Sequence, residues 1–302
     1  MRSIAAVPFV QKFIRTVQAL LLAALFGLPG PTVAAIAKTD FDGDGRADLL
    51  LGNIFSGRLR AWLSDGTTIA ARPSYGGIDP ATGWGIFAVR DADGDGRTDL
   101  YWYRKSTGAV ATQLVQGTTR STRVIHGRKS PTEGWTPMGL GDTNGDGKYD
   151  IYWLNIYSGA VEVWTLGGTS ILQKLTLGTL PPSQGWSAIG LRDLNLDGRT
   201  DVLLYNPYTG GLGAWIAGTV AAPYYGVASP SQGWTPIGFE DFDGDGRADV
   251  LWYNVYSGLI SVWLIAGGVL ADSVDLGLLD PSTGWTLAGL ADLNGDERTD
   301  IL

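Results

Sequence analysis

Six nine-residue segments hold most of the reactive side chains of this 302-residue chain: DFDGDGRAD from Asp40, DADGDGRTD from Asp91, DTNGDGKYD from Asp142, DLNLDGRTD from Asp193, DFDGDGRAD from Asp241 and DLNGDERTD from Asp292. Positions 1, 3, 5 and 9 carry oxygen in every copy. They are Asp40, Asp42, Asp44 and Asp48; Asp91, Asp93, Asp95 and Asp99; Asp142, Asn144, Asp146 and Asp150; Asp193, Asn195, Asp197 and Asp201; Asp241, Asp243, Asp245 and Asp249; Asp292, Asn294, Asp296 and Asp300. Calcium takes six to eight hard oxygen ligands at about 2.3–2.6 Å, and alternate residues of a tight turn aim carboxylates at one point. Position 7 (Arg46, Arg97, Lys148, Arg199, Arg247, Arg298) is expected to contribute its backbone carbonyl. Gly fills position 6 in five copies and supplies the positive φ that wraps a backbone around an ion. The expectation is up to six calcium sites; the plain alternative is a set of acidic, solvated turns.

The flanking residues show what must position these loops. An EF-hand closes on a bidentate Glu at position 12 between two helices. Here position 12 is Leu51, Trp102, Trp153, Leu204 and Trp252. Position 9 instead runs into short apolar stretches, LYWY after Asp99, IYWL after Asp150 and VLWY after Asp249, which read as buried strands. The loop therefore joins strand to strand.

Successive loops begin 51, 51, 51, 48 and 51 residues apart, and the rest of each unit repeats as well. A turn of pattern N-x-[aromatic]-[ST]-G follows at Asn53, Asn155, Asn206 and Asn254. A strand bearing Trp62, Trp164, Trp215 or Trp263 comes next, then a weaker β stretch. The unit closes on P-x-x-G-W, ending at Trp84, Trp135, Trp186, Trp234 and Trp285, and a short strand enters the next acidic loop. Four strands per period of this length indicate the blades of an all-β propeller.

On these motifs the chain resembles the FG-GAP or VCBS family of calcium-loop propeller repeats, over essentially all of residues 38–302. The Phe-Gly and Gly-Ala-Pro signatures behind the family name are replaced by Gly139-Leu140, Gly190-Leu191, Gly238-Phe239 and Gly289-Leu290, which places it in a bacterial-looking branch. The resemblance implies calcium in the turn between the first and second strands of each blade. Five complete periods predict five blades, or six or more if the chain belongs to a longer propeller. The strand around Trp285 to Leu290 is spare, and its pairing with the first blade would close a five-membered ring.

Residues 1–37 differ in character. Arg2, Lys12 and Arg15 precede an apolar run from Val17 to Leu28, with Ala35-Ile36-Ala37 at its end. A basic start, a short apolar core and an A-x-A site describe a secretory signal peptide. Twelve apolar residues fall short of the roughly 20 that span a bilayer, so no membrane insertion is expected after cleavage; a retained anchor is the alternative. The expected location is extracellular or cell-surface, with the periplasm also open. The chain has no cysteine, which excludes disulfides and a lipoprotein anchor. Its net charge of −8 comes chiefly from the loops, whose ligand positions hold 21 of the 30 acidic residues, so it gives no reason to expect a nucleic-acid partner.

All twelve Trp fall into three columns of the repeat, as inter-blade packing requires; carbohydrate stacking is the rival role. In an antiparallel meander the N-x-[aromatic]-[ST]-G turn and the crossover share the end opposite the acidic loops. That end presents Phe55, Tyr157, Tyr208 and Tyr256 beside Asn155, Asn206 and Asn254, a candidate surface for carbohydrate or a cell-surface protein. Rings that merely cap their hairpins are the alternative. Repeat 2 departs from the pattern: Leu114 replaces the third-strand Trp, and Arg104, Lys105, Arg120, Arg123, Arg128 and Lys129 surround His126. This is either an anionic-ligand patch or a charged, solvated edge.

No nucleophile elbow, zincin motif or phosphate loop occurs. A polysaccharide-cleaving enzyme would have to draw its base from His126, Glu133, Glu162 or Glu240. The sequence reads first as a binding or adhesion module, second as an inert propeller scaffold, and third as a calcium-dependent lyase or hydrolase.

Overall fold

The computed structural model describes residues 39–53, 56–77, 82–219, 222–285, 287, 289–291, 296 and 298–302. The expected signal peptide, Phe55, Asp292, Asn294 and Glu297 lie outside the described residues. Blade 1 contains β1 (Leu49–Gly52), β2 (Arg58–Ser64), β3 (Ile69–Ala71) and β4 (Ser74–Gly77). Blade 2 is β5 (Trp84–Arg90), β6 (Asp99–Arg104), β7 (Ala109–Gln113) and β10 (Val124–Arg128), with a small hairpin, β8 (Val115–Gln116) and β9 (Thr119–Arg120), in its last connection. Blade 3 runs β11 (Trp135–Gly141), β12 (Asp150–Asn155), β13 (Ala160–Gly167) and β14 (Ser170–Thr179). Blade 4 is β15 (Ser187–Arg192), β16 (Asp201–Tyr205), β17 (Gly211–Trp215) and β18 (Tyr224–Val227). Blade 5 is β19 (Trp234–Glu240), β20 (Asp249–Asn254), β21 (Leu259–Ala266) and β22 (Val269–Leu278).

Blades 2 to 5 are four-stranded antiparallel meanders whose strands pair in chain order. The second strand of each is buried along its length, because neighbouring blades cover both its faces. That explains its unbroken apolar run where a half-exposed strand would alternate. The first strands share a register shift, at Ile86/Ala88, Pro137/Gly139, Ala188/Gly190 and Pro236/Gly238. A bulge tolerates the missing N–H of Pro137 and Pro236, which a regular central strand would not.

The core lies between blades. Phe41, Leu59 and Tyr75 of the first unit pack with Leu100, Trp102 and Val115 of the second. Leu203, Leu212 and Tyr225 of blade 4 pack with Val250, Trp252 and Ile265 of blade 5. Trp102, Trp153, Trp164 and Trp252 are fully buried, the packing role expected of the strand columns.

Among the described residues the spare strand does not pair with blade 1. β23 (Leu290–Ala291) pairs with β24 (Asp300–Ile301), the strand that follows its own loop. A nine-residue loop is cheap to close compared with a pairing that spans the chain. Among the described residues β1 pairs with β2 alone, and its Leu49 and Leu51 are exposed.

Candidate functional site

Each acidic loop is held by its last residue. Asp99, Asp150, Asp201 and Asp249 begin the second strand of their blades and Asp48 directly precedes β1, which with β2 takes the place of the second and third strands in blade 1; each is at most 2 % exposed. One carboxylate oxygen accepts from the N–H at loop position 2: Phe41, Ala92, Thr143, Leu194 or Phe242, at 2.8–2.9 Å. The other accepts from the end of the third strand or just beyond it: Ser64, Val115, Leu166, Ala217 or Ile265, at 2.7–2.9 Å. Position 9 thus ties the loop to two strands at once.

Position 1 organises the turn. Its carboxylate accepts from position 4 and from position 6, as Asp91 does from Gly94 at 2.7 Å and Gly96 at 2.8 Å. The same pair of bonds recurs at Asp40, Asp142, Asp193 and Asp241. Positions 4 and 6 take positive φ, near 84° and 82° for Gly94 and Gly96. Leu196, at position 4 of loop 4, is forced to φ 62°, and no other non-glycine among the described residues has positive φ.

The side chains at positions 1, 3 and 9 converge. In loops 1, 2 and 5, ligand oxygens of Asp40, Asp42 and Asp48, of Asp91, Asp93 and Asp99, and of Asp241, Asp243 and Asp249 lie within 4.8 Å of one another. Loops 3 and 4 have Asn144 and Asn195 at position 3, so fewer carboxylates meet there. Position 5 is turned aside in three copies: Asp44, Asp95 and Asp245 each pair with the position-7 arginine, at 3.2, 3.1 and 2.8 Å. Burial pushes the Asp99 carboxyl up to about 7, and those of Asp150, Asp201 and Asp249 to about 6, with neighbouring loop carboxylates adding to the rise. Three converging carboxylates, one of them buried, are an arrangement that a divalent, oxygen-seeking cation fits.

The opposite end carries the tyrosines. Tyr157, Tyr208 and Tyr256 are 66 %, 82 % and 58 % exposed. Each ring leans on the crossover glycine of its own blade: a β-carbon at Gly134, Gly185 or Gly233 would meet it at 2.4–2.6 Å. The ring caps the turn on one side and offers its remaining surface to solvent. Asn155, Asn206 and Asn254, expected to orient ligand hydroxyls, do not face outward. They are buried; their amide oxygens accept from the backbone of the two residues before the turn glycine, and their amide nitrogens donate to Glu133, Gln184 and Gln232 carbonyls at 2.8–2.9 Å. The exposed polar neighbours of the rings are Ser158, Thr209 and Ser257.

The basic cluster of repeat 2 is largely committed internally. The Arg123 guanidinium lies 3.9 Å over Trp102 and 5.0 Å from the Trp84 ring. In blades 3 and 5 a third-strand tryptophan packs on the equivalent ring, as Trp164 does on Trp153 and Trp263 on Trp252. The strand register corrects the expectation at Leu114: Gln113 faces Leu100 as Trp164 faces Ile151 and Trp263 faces Val250, so Gln113 holds the tryptophan position and Arg123 covers the ring face left open there. Lys129 pairs with Glu162 and lies 3.3 Å over Trp135, and Arg104 donates to the Thr82 carbonyl at 2.7 Å. His126 is half-buried, with Nε2 3.0 Å from the Thr112 hydroxyl. Arg120, Lys105 and Arg128 remain on the exposed or partly exposed surface. Among the described residues no helix is long and apolar enough to cross a membrane.

Comparison with known proteins agrees with the repeat. The sequence profile of the FG-GAP-like repeat family matches residues 40–102, 107–204 and 241–302, well over half of the chain. No curated protein sequence matches it. Among solved structures, the chain is similar to a lectin of Agrocybe aegerita that recognises non-reducing terminal N-acetylglucosamine, with TM-score 0.65 and 18 % identity over 87 % of this chain and 72 % of that one. It is also similar to part of the Photorhabdus luminescens Tc holotoxin pore, with TM-score 0.57 and 16 % identity over 87 % of this chain and 13 % of that one. Likeness at these identities concerns the fold.

Proposed function

Because the chain belongs to the FG-GAP-like repeat family, we propose that it is a secreted, calcium-stabilised propeller that binds carbohydrate through its tyrosine-bearing end. One observation carries the carbohydrate reading: successive blades present the same exposed ring with a hydroxyl residue beside it, at Tyr157-Ser158, Tyr208-Thr209 and Tyr256-Ser257. Ring faces stack on the apolar faces of sugars, and hydroxyls meet their polar edges. The sugar recognition of the fungal lectin with a similar fold supports the reading. A shallow single site would bind at about the millimolar level, about −4 kcal/mol. Repetition around the blades would then supply avidity towards a polymer.

Calcium would be held by the loop carboxylates of positions 1, 3 and 9, with position 5 and the position-7 carbonyl as further donors. When bound, it supplies the counter-charge that these clustered carboxylates need. The position-9 aspartates tie each loop to two strands of its blade, so filling the loops stiffens the scaffold on which the tyrosines stand.

The test is retention on a multivalent polysaccharide found by glycan-array screening. The triple Tyr157→Ala/Tyr208→Ala/Tyr256→Ala variant should lose retention while keeping its melting temperature in calcium. Retention that survives the triple change removes the tyrosine end as the site. A protein that retains no polysaccharide or cell surface at all is a structural propeller.

A further inference from the structure

The loops are not equivalent neighbours. The N–H at position 8 of loop 2, Thr98, donates to the carbonyl of Asp40 in loop 1 at 2.6 Å, and the Asp40 N–H donates back to the Thr98 hydroxyl at 2.9 Å. Thr200 of loop 4 donates to Asp142 of loop 3 at 2.6 Å, and Thr299 of loop 6 to Asp241 of loop 5 at 2.8 Å. Position 8 is Tyr149 in loop 3 and Ala248 in loop 5, and among the described residues neither makes the corresponding bond. The pattern therefore alternates. Loops 1 and 2 are joined further: Arg97 Nε donates to the Asp42 carbonyl at 3.1 Å, and Gly117, in the outer turn of blade 2, donates to the Phe41 carbonyl at 2.8 Å. Between loop 4 and blade 5 the outer turn stands off, leaving a cleft lined by Leu194, Ile216, Pro223, Gly267 and Gly268.

We propose that the cation sites fill in coupled pairs, loops 1 with 2 and loops 3 with 4, with Thr98 and Thr200 as the positioning residues that join them. This rests on the reading that the loops hold calcium. The joined residue on one side is position 1, whose carboxylate shapes its loop, and on the other it precedes position 9, the buried aspartate. Fixing position 1 in loop 1 fixes the backbone beside Asp99, so part of the ordering that loop 2 requires has already occurred when its ion arrives. Such coupling is reciprocal, and values of roughly fivefold or more in affinity are ordinary.

Selective 15N-glycine labelling reads each site separately. The position-6 amides of Gly45, Gly96, Gly147 and Gly198 donate to the position-1 carboxylates at 2.8 Å, so their signals report filling. During a calcium titration of the unaltered protein, Gly45 and Gly96 should move together with a slope steeper than one-site binding. Gly147 and Gly198 should do the same at their own midpoint. In Asp95→Ala the Gly45 midpoint should rise at least about fivefold while that of Gly147 stays in place. Separate, one-site curves for Gly45 and Gly96 in the unaltered protein overturn the coupling, whether or not the variant folds. An equal shift of Gly147 and Gly45 overturns it as well. Signals that do not move at millimolar calcium overturn the calcium reading itself, and the coupling with it.

Discussion

At the scale of single residues, the loops show how strain and charge are distributed. Leu196 occupies a left-handed conformation that costs an L-residue about 1–2 kcal/mol, and its side chain is exposed, so little packing depends on it. Leu196→Gly should therefore stabilise the protein by about 1 kcal/mol, after allowing for the greater freedom of glycine in the unfolded chain. A differential scan should show a rise of about 2–4 °C, and a fall would contradict the strain argument. The buried aspartates make a second prediction for the calcium-free protein. A carboxyl raised to about 7 at Asp99, and to about 6 at Asp150, Asp201 and Asp249, keeps a proton in the fold that the unfolded chain has already released. Folding then binds more protons than unfolding, so stability in chelator is lost as pH rises from about 4 through about 7. Melting in chelator should drop between about pH 5 and pH 8, and calcium should remove that drop by holding the carboxylates ionised. A melting temperature in chelator that climbs over this range would count against the burial argument.

Elements show how much of this was legible in the sequence. The loop-strand-turn order was readable because position 9 is followed at once by an apolar run, and the period of about 51 residues repeats that pairing in every blade. The burial of Asn155, Asn206 and Asn254 was not readable, since their partners are carbonyls about 20 residues earlier, across the sheet. The sequence showed that repeat 2 lacks its third-strand tryptophan. It could not show that Arg123, from the outermost strand connection, lies over Trp102 in its place. A desolvated cation over an indole ring is worth about 1–2 kcal/mol. Arg123→Ala should lower stability by that amount, measured by urea unfolding, and leave polysaccharide retention unchanged. Loss of retention with stability intact would return the patch to the list of binding surfaces.

For the whole molecule, the blades bury their apolar faces against one another, and the acidic loops stand at one end of that stack. The propeller class was legible from the repeat alone, whereas the partner of the spare strand depended on a competition between local and chain-spanning pairing that the repeat does not encode. Three carboxylates converge in loops 1, 2 and 5, so a cation held there would be linked to stability through mass action. The most direct measurement is the melting temperature of the protein in millimolar calcium, in millimolar magnesium and in chelator. The account predicts a melt much higher in calcium than in chelator, with magnesium a poor substitute because it requires tighter octahedral geometry. Equal melting temperatures in calcium and in chelator would contradict it.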